Sequence, residues 1–135
     1  MALVILFAWS FAAATILPLA SEVPLAVVIR QSGQWHVPVA VATIGNVLGA
    51  CTTYWLAKAA TAAVPSGSAR VRQVATRLAS YGPPVLLLSW VPIIGDVLVA
   101  LAGAAAVPFV TFVVWVSLGK LGRYIAVALA VASTS

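Results

Sequence analysis

Long apolar stretches without charge dominate the chain. Five of them lack Asp, Glu, Lys and Arg altogether: residues 1–21, 31–57, 78–95, 97–119 and 124–135. A helix that crosses a bilayer needs about 20 mostly apolar residues. Two segments are long enough, one from about His36 to Leu56 and one from about Val107 to Ala132, where Lys120 and Arg123 interrupt the apolar pattern. Each segment predicts a spanning helix.

The first apolar segment is broken by a proline. Residues 1–17 run into Pro18, and the apolar pattern then resumes only from Val23 to Ile29. Each limb is short for a crossing, so two limbs joined at a proline turn predict a re-entrant hairpin, which returns to the side it entered from. The alternative is a cleaved signal peptide, although no basic residue precedes the apolar run.

The segment from Tyr81 to Val107 repeats this plan. Its break runs from Pro92 through Gly95 to Asp96. Pro92 removes a helical hydrogen bond and Gly95 adds a flexible point, which favours a second re-entrant hairpin with its turn at these residues. The alternative is one proline-kinked spanning helix, for which the segment is long enough.

A polar connector at about residues 65–80 separates the two halves. Its apolar positions share one face of a helix: Val71, Val74, Ala75 and Leu78. Its arginines fill the other positions: Arg70, Arg72 and Arg77. The pattern predicts a basic amphipathic helix at the membrane surface, with a solvated linker as the alternative. Excess positive charge places the connector on the cytoplasmic side.

An offset of 74 residues relates the two halves. It aligns six pairs of interest: Pro18 with Pro92, Glu22 with Asp96, Gly45 with Gly119, Phe7 with Tyr81, Asn46 with Lys120, and Gly49 with Arg123. Because one crossing separates the hairpins, the halves would have opposite orientations, as in the inverted repeats of transporters. Coincidence is the alternative, since few aligned residues are identical.

The pattern predicts an all-α integral membrane protein. Two re-entrant helical hairpins and two spanning helices form an inverted repeat, joined by a basic amphipathic helix. Residues 1–135 make a single membrane domain, with repeat one at about 1–60, the connector at about 65–80 and repeat two at about 81–135.

Composition supports a membrane location. The chain is 64% hydrophobic and 7% charged, whereas soluble domains are about 45–50% apolar and about 25% charged. The net charge is +5, and in so apolar a chain this favours anionic lipid over nucleic acid as the partner. One cysteine and one histidine exclude a disulfide framework and a multi-histidine metal centre. We expect no metal, no cofactor and no enzymatic activity.

Four charged residues carry the sharpest functional signal. If the last helix starts at Pro108, Lys120 lies about 18 Å along it, near the centre of a core about 30 Å thick. Arg123 shares its helix face. Glu22 and Asp96, at the hairpin turns, are the only acids in the chain. This neutral set is either a structural ion-pair network or a pocket for an anion, in which the acids exchange protons.

The first spanning helix contributes further polar and small residues. Asn46 lies in its middle and can donate and accept hydrogen bonds near Lys120. Gly45 and Gly49 form a GxxxG motif, which indicates close helix packing more often than ligand contact. The aromatic residues Trp9, Trp35, Trp55, Trp90, Trp115, Tyr54, Tyr81 and Tyr124 are expected to include interface anchors.

The order of several short motifs resembles that of the DedA family, also called the SNARE-associated or VTT-domain family. The motifs are LPLASE at residues 17–22, GNVLG at 45–49 with YWL at 54–56, LSWVPIIGD at 88–96 and GKLGRY at 119–124, the last resembling a short bacterial subgroup. The resemblance implies two re-entrant hairpins and an inverted repeat. It also implies lipid translocation, notably of undecaprenyl phosphate across the bacterial inner membrane, coupled to protons.

The chain departs from the family pattern at three positions. Glu22 matches the acid of the first hairpin, but Ala50 stands where many members carry a second acid. Ser89 and Gly95 stand where many members carry arginines that flank the second hairpin turn.

The charged and polar residues that the chain does carry suggest which of them bind the substrate and which exchange protons. We expect Lys120, Arg123 and Asn46 to bind a polyprenyl phosphate or phospholipid head group, while Glu22 and Asp96 couple to protons. A non-transporting membrane scaffold and a small-solute or ion exchanger are the alternatives, and a homodimer is compatible with so short a chain.

Overall fold

The computed structural model describes residues 1–15, 21–63, 73, 76–77, 80, 83–91, 94–105 and 107–134, and within them it is entirely helical, without a strand. Five α-helices have both ends within the described residues: α1 (Ala2–Thr15), α2 (Glu22–Ser32), α3 (His36–Ala63), α4 (Ile94–Ala104) and α5 (Phe109–Ser133). A 3-10 helix covers Pro83–Trp90.

Helices α3 and α5 are long and apolar enough to cross a membrane. They coincide with the two predicted spans, and α5 begins directly after Pro108. Trp35 precedes α3, and Trp55 lies on it about 30 Å further along, which equals the thickness of a hydrocarbon core. Tryptophans at this separation are typical of the two membrane interfaces.

Helix α1 packs along α3 on its two glycines. A Cβ atom at Gly45 would lie 2.7 Å from the carbonyl oxygen of Phe7, and one at Gly49 would collide with that of Phe11. Residues later in α1 contact residues later in α3, since Gly45 meets Phe7 and Gly49 meets Phe11. The two helices therefore run parallel. The GxxxG motif therefore serves close helix packing.

The second half pairs its elements in a corresponding way. The 3-10 helix packs on α5, as α1 packs on α3, while α2 packs on α5 and α4 packs on α3. A Cβ atom at Gly103 of α4 would collide with the carbonyl group of Tyr54. Each short second helix thus lies against the long helix of the other half.

Two apolar cores fill the bundle. One core joins α1, α2, the first half of α3 and the second half of α5: Leu6, Leu25, Val28, Ile29, Val39, Ala42, Tyr124 and Ala128. The other joins the second half of α3, the 3-10 helix, α4 and the first half of α5: Ala50, Tyr54, Leu86, Val99, Ala102, Phe112 and Val116. Because opposite halves of the long helices meet, α3 and α5 run antiparallel.

One predicted turn residue lies elsewhere, and others lie outside the described residues. Gly95 is not in a break but in the first turn of α4, because its N–H donates to the carbonyl of Val91 at 2.8 Å in the helical pattern. Pro18 and Pro92 lie outside the described residues, as does most of the connector at 65–80. Of the connector, Gln73, Thr76, Arg77 and Ser80 are helical and exposed.

Candidate functional site

A layer of buried polar side chains separates the two apolar cores. Four polar residues of the described chain are buried: Ser10, Ser21, Asn46 and Lys120. On α3, Asn46 lies one turn from Ala42 of the first core and one turn from Ala50 of the second. On α5, Lys120 likewise lies between Val116 and Tyr124. We call this layer, with the side chains it contacts, the polar layer.

Lys120 lies at the centre of the polar layer. It is 2% exposed, and its ammonium group donates a hydrogen bond to Oδ1 of Asn46. The amide nitrogen of Asn46 donates in turn to the carbonyl oxygen of Ser10 at 3.0 Å. The two bonds tie α5, α3 and α1 together and use both ends of the Asn46 amide.

Glu22 and Arg123 form an ion pair at the edge of the polar layer. The side chain of Glu22 is 27% exposed and that of Arg123 is 16% exposed. Glu22 occupies the first turn of α2, where the helix dipole stabilises a negative charge. The pair joins α2 to α5 one turn away from Lys120.

Asp96 lies within electrostatic reach of Lys120 and of Tyr124. It occupies the first turn of α4 and is partly buried. The arrangement places one acid at the start of each short second helix, and each acid lies within electrostatic reach of a cation on α5.

Tyr124 is buried in the polar layer at 1% exposure. Its hydroxyl lies 2.6 Å from Oγ of Ser21. Of the aromatic residues expected to include interface anchors, Tyr124 is not one, because this hydroxyl bond satisfies the phenol inside the bundle. The same holds for Tyr54, which is 1% exposed and donates to the carbonyl of Val107.

Ser10 is fully buried, and its hydroxyl group reaches that of Tyr124 from α1. No sequence pattern assigned Ser10, Ser21 and Tyr124 to the site. The signal available for Ser10 was a lone polar residue within an otherwise apolar stretch.

The structure thus brings the predicted site residues into one layer: Glu22, Asn46, Asp96, Lys120 and Arg123. Their roles in substrate binding and proton coupling remain predictions. Among the described residues, no group of three or more His, Cys, Asp and Glu side chains is placed to hold a metal ion.

Antiparallel apolar helices around a charged interior layer define an α-helical integral membrane protein. A family model of the VTT domain matches residues 17–133. The chain therefore belongs to the VTT-domain (DedA) family.

The chain is similar to curated proteins over most of its length. It is 43% identical to the inner membrane protein YqaA of Escherichia coli K12 over 128 residues, which cover 93% of this chain and 87% of that protein. The YqaA protein of Shigella flexneri matches with the same values. An uncharacterized protein of Haemophilus influenzae is 37% identical over 129 residues, or 90% of this chain and 82% of that protein. No solved structure matches. The chain is a bacterial inner-membrane protein.

Proposed function

We propose that this protein moves the head group of an anionic lipid across the bilayer, with a polyprenyl phosphate or a phospholipid as substrate. The observation that carries the proposal is the burial of Lys120 about 17 Å along a helix that can span the membrane. A charge at that depth is costly, and such residues typically mark transport pathways.

The polar layer has the chemistry that a phosphate head group needs. A head group loses its hydration when it enters hydrocarbon, and charged donors can replace those lost hydrogen bonds. Lys120 and Arg123 are the donors, and the amide of Asn46 holds Lys120 in place. A phosphate that reaches Arg123 would compete with Glu22 for the guanidinium group.

This competition supplies a route to proton coupling. Glu22 loses its cation when a phosphate takes Arg123, and a carboxylate without a partner in a low-dielectric site becomes more stable when protonated. Asp96 lies within electrostatic reach of Lys120, so a phosphate that binds Lys120 would favour the protonated form of Asp96 as well. Substrate binding and proton uptake would then occur together.

The proposed inverted repeat supports a change between one state that is open to one side of the membrane and another that is open to the opposite side. Several core residues of one half correspond, at the offset of 74, to core residues of the other: Leu25 and Val99, Val28 and Ala102, Ala42 and Val116, Ala50 and Tyr124, Tyr54 and Ala128. Helix α2 runs from the polar layer towards the start of α3, whereas α4 runs from it towards Tyr54 in the second half of α3. Opposite directions are expected of repeats that alternately open to the two sides.

Short helices support the re-entrant hairpins. Helix α1 is about 21 Å long and α2 about 17 Å, less than the core thickness of about 30 Å. A cavity of about 290 Å³ has Ala2 and Leu3 of α1 on one side and Gln31 and Ser32 of α2 on another. The start of α1 therefore lies beside the end of α2, as a hairpin that enters and leaves from one side requires.

Reconstitution tests the proposal. The protein would be placed in vesicles of phosphatidylethanolamine and phosphatidylglycerol that contain a fluorescent lipid, and the transfer of the lipid between leaflets would be measured with and without a pH gradient. Phosphatidylglycerol and a polyprenyl phosphate are expected to move, whereas phosphatidylcholine moves slowly or not at all. Equal rates for all head groups, or no movement, would overturn the proposal.

A membrane scaffold is the second candidate. It is favoured by one observation, namely that Arg123 and Lys120 already have protein partners. In that case the charges hold helices together, and exchanging the members of an ion pair preserves cellular function. A small-solute exchanger would instead show solute flux without lipid movement in the same vesicles.

A further inference from the structure

A cluster of aromatic side chains joins the last third of α3 to the start of α5. The ring centroids of Trp55 and Phe109 lie 5.3 Å apart, and the indole of Trp55 meets the ring of Tyr54 edge-on, also at 5.3 Å. Tyr54 is buried, whereas Trp55 is 49% exposed and Phe109 is 36% exposed. The cluster is therefore anchored in the second apolar core and presents two aromatic rings on the outside of the bundle.

Lys58 places a positive charge on this aromatic surface. Its ammonium nitrogen lies 4.9 Å from the centroid of the Trp55 ring, within the range of a cation–π contact. The contact limits the orientations of a long side chain, which lowers the entropy that is lost when the lysine binds an anion. Lys58 itself is exposed, so its ammonium group is accessible from outside the bundle.

Both acids of the chain lie within the described residues, and neither pairs with Lys58. Glu22 forms its ion pair with Arg123, and Asp96 lies within electrostatic reach of Lys120 in the polar layer. The chain has seven basic and two acidic residues, so most of its positive charges have no acidic side chain to neutralise them. At Lys58, the aromatic contact positions the ammonium group and leaves its charge available to an anion from outside the protein.

The depth of Lys58 indicates the kind of anion. Lys58 follows Asn46 by twelve residues on α3, or about 18 Å along the helix, and half of a hydrocarbon core is about 15 Å thick. With Asn46 in the polar layer near mid-depth, the ammonium group lies at the level of the lipid phosphates, and Trp55 lies where tryptophan typically anchors a helix. Leu56 and Val110, which are 57% and 75% exposed, offer apolar surface to acyl chains.

We propose that Lys58, Trp55 and Phe109 bind one anionic phospholipid in the leaflet next to the connector. Its phosphate accepts a hydrogen bond from the ammonium group of Lys58, and one acyl chain lies along the two aromatic rings. A zwitterionic lipid binds less well, because its own ammonium group carries the same charge as the lysine. The site lies about 18 Å from the polar layer. It does not depend on the proposed function, since it can be occupied whether or not the protein moves lipid.

Quenching by brominated lipids measures the lipid preference at a single tryptophan. The full-length protein would keep Trp55 as its only tryptophan in vesicles of phosphatidylcholine, by the changes Trp9→Phe, Trp35→Phe, Trp90→Phe and Trp115→Phe. Brominated phosphatidylglycerol and brominated phosphatidylcholine with the same acyl chains would be compared as quenchers. We expect a preference for phosphatidylglycerol of roughly fivefold, the effect of one basic residue near an anionic surface. Lys58→Gln should abolish the preference, and Lys58→Arg should keep it.

Trp9 supplies the matched reporter. It is 43% exposed on α1, and in the described part of the chain no cation lies over its ring. In a protein that keeps Trp9 and carries Trp55→Phe with the other three changes, we expect the two lipids to quench equally. The same preference for phosphatidylglycerol at Trp9 as at Trp55 would overturn the site, because it would show a general attraction to the whole basic protein.

A second measurement keeps all five tryptophans. Intact-protein mass spectrometry would count the phosphatidylglycerol molecules that stay bound to the protein in detergent. Lys58→Gln should retain one fewer than wild type. Arg30→Gln, which removes an exposed charge in the last turn of α2, should retain the wild-type number.

Three further results would overturn the site: equal quenching by the two lipids at Trp55, a preference that survives Lys58→Gln, and a bound number that Lys58→Gln leaves unchanged or that Arg30→Gln lowers equally. None of these results depends on lipid transfer. A failure of the proposed function therefore leaves the site standing, and a failure of the site leaves the proposed function standing.

Discussion

Lys120 donates a hydrogen bond to Asn46, the residue 74 positions earlier in the chain, and 74 is also the offset that aligns the two halves. Equivalent residues of two repeats can touch each other only near the axis that relates them. The bond therefore marks the point through which an axis of the proposed inverted repeat would pass, at mid-length of both long helices.

An exchange of these two residues tests the axis. Asn46→Lys alone brings two ammonium groups together and should destabilise the protein by roughly 1–3 kcal/mol or more, since the buried bond is also lost. Adding Lys120→Asn recreates the same bond in the reverse direction. We expect the double variant to regain most of the lost stability, measured by thermal unfolding in detergent.

The single Lys120→Asn variant completes this comparison as a double-mutant cycle. Losses that simply add in the double variant would show that the environment of the two positions is not equivalent, which contradicts the proposed symmetry.

Gly103 is expected to tolerate no side chain. A Cβ atom there would collide with the carbonyl group of Tyr54, so α4 and α3 must move apart. Gly103→Ala should cost about 1–3 kcal/mol of unfolding free energy, as overpacking typically does. Thermal unfolding in detergent measures the loss.

Gly122 supplies the matched control. It lies on α5 with nothing within 4 Å of an added Cβ. Alanine is the better helix former by about 1 kcal/mol, so Gly122→Ala should leave the stability equal or slightly higher. A similar loss in both variants would mean that the α3–α4 contact is not the cause.

Labelling from the two sides of the membrane tests the first hairpin. In a Cys51→Ala background, single cysteines would replace Ala2, Ser32 and Ala62, which are all exposed. A membrane-impermeant maleimide should label positions 2 and 32 from the same side and position 62 from the opposite side. Labelling of positions 2 and 32 from opposite sides would show that α1 and α2 together cross the bilayer and do not form a re-entrant hairpin.

The sequence alone predicted the helices well where hydrophobicity decides them. Uncharged stretches located α3 and α5, because only a continuous apolar segment can cross a bilayer. Charge was equally informative for the site. Glu22 and Arg123 are distant in sequence and yet form an ion pair, as expected when few charges lie in apolar surroundings and each needs a partner.

The rest of the polar layer depends on tertiary packing that no local pattern encodes. Tyrosine is a residue type that is common at membrane interfaces. The burial of Tyr124 becomes favourable because Ser21 approaches its hydroxyl group. The spacing of polar residues around Ser10 does not mark it as part of a site. Its place in the polar layer follows from the packing of α1 on the glycines of α3. Gly95 was predicted in a turn because glycine adds a flexible point, but a helix tolerates glycine in its first turn.

A charge exchange between Glu22 and Arg123 tests the central claim most directly. The double variant Glu22→Arg with Arg123→Glu keeps an ion pair between α2 and α5 but places a positive charge in the first turn of α2, so we expect a folded protein with a loss of about 1–2 kcal/mol. Transfer of fluorescent phosphatidylglycerol in vesicles is the measurement. If Arg123 binds the head group, the exchange places a carboxylate where the phosphate must bind, and transfer is lost in a folded protein. Transfer at the wild-type rate would contradict the account and identify the pair as a structural contact.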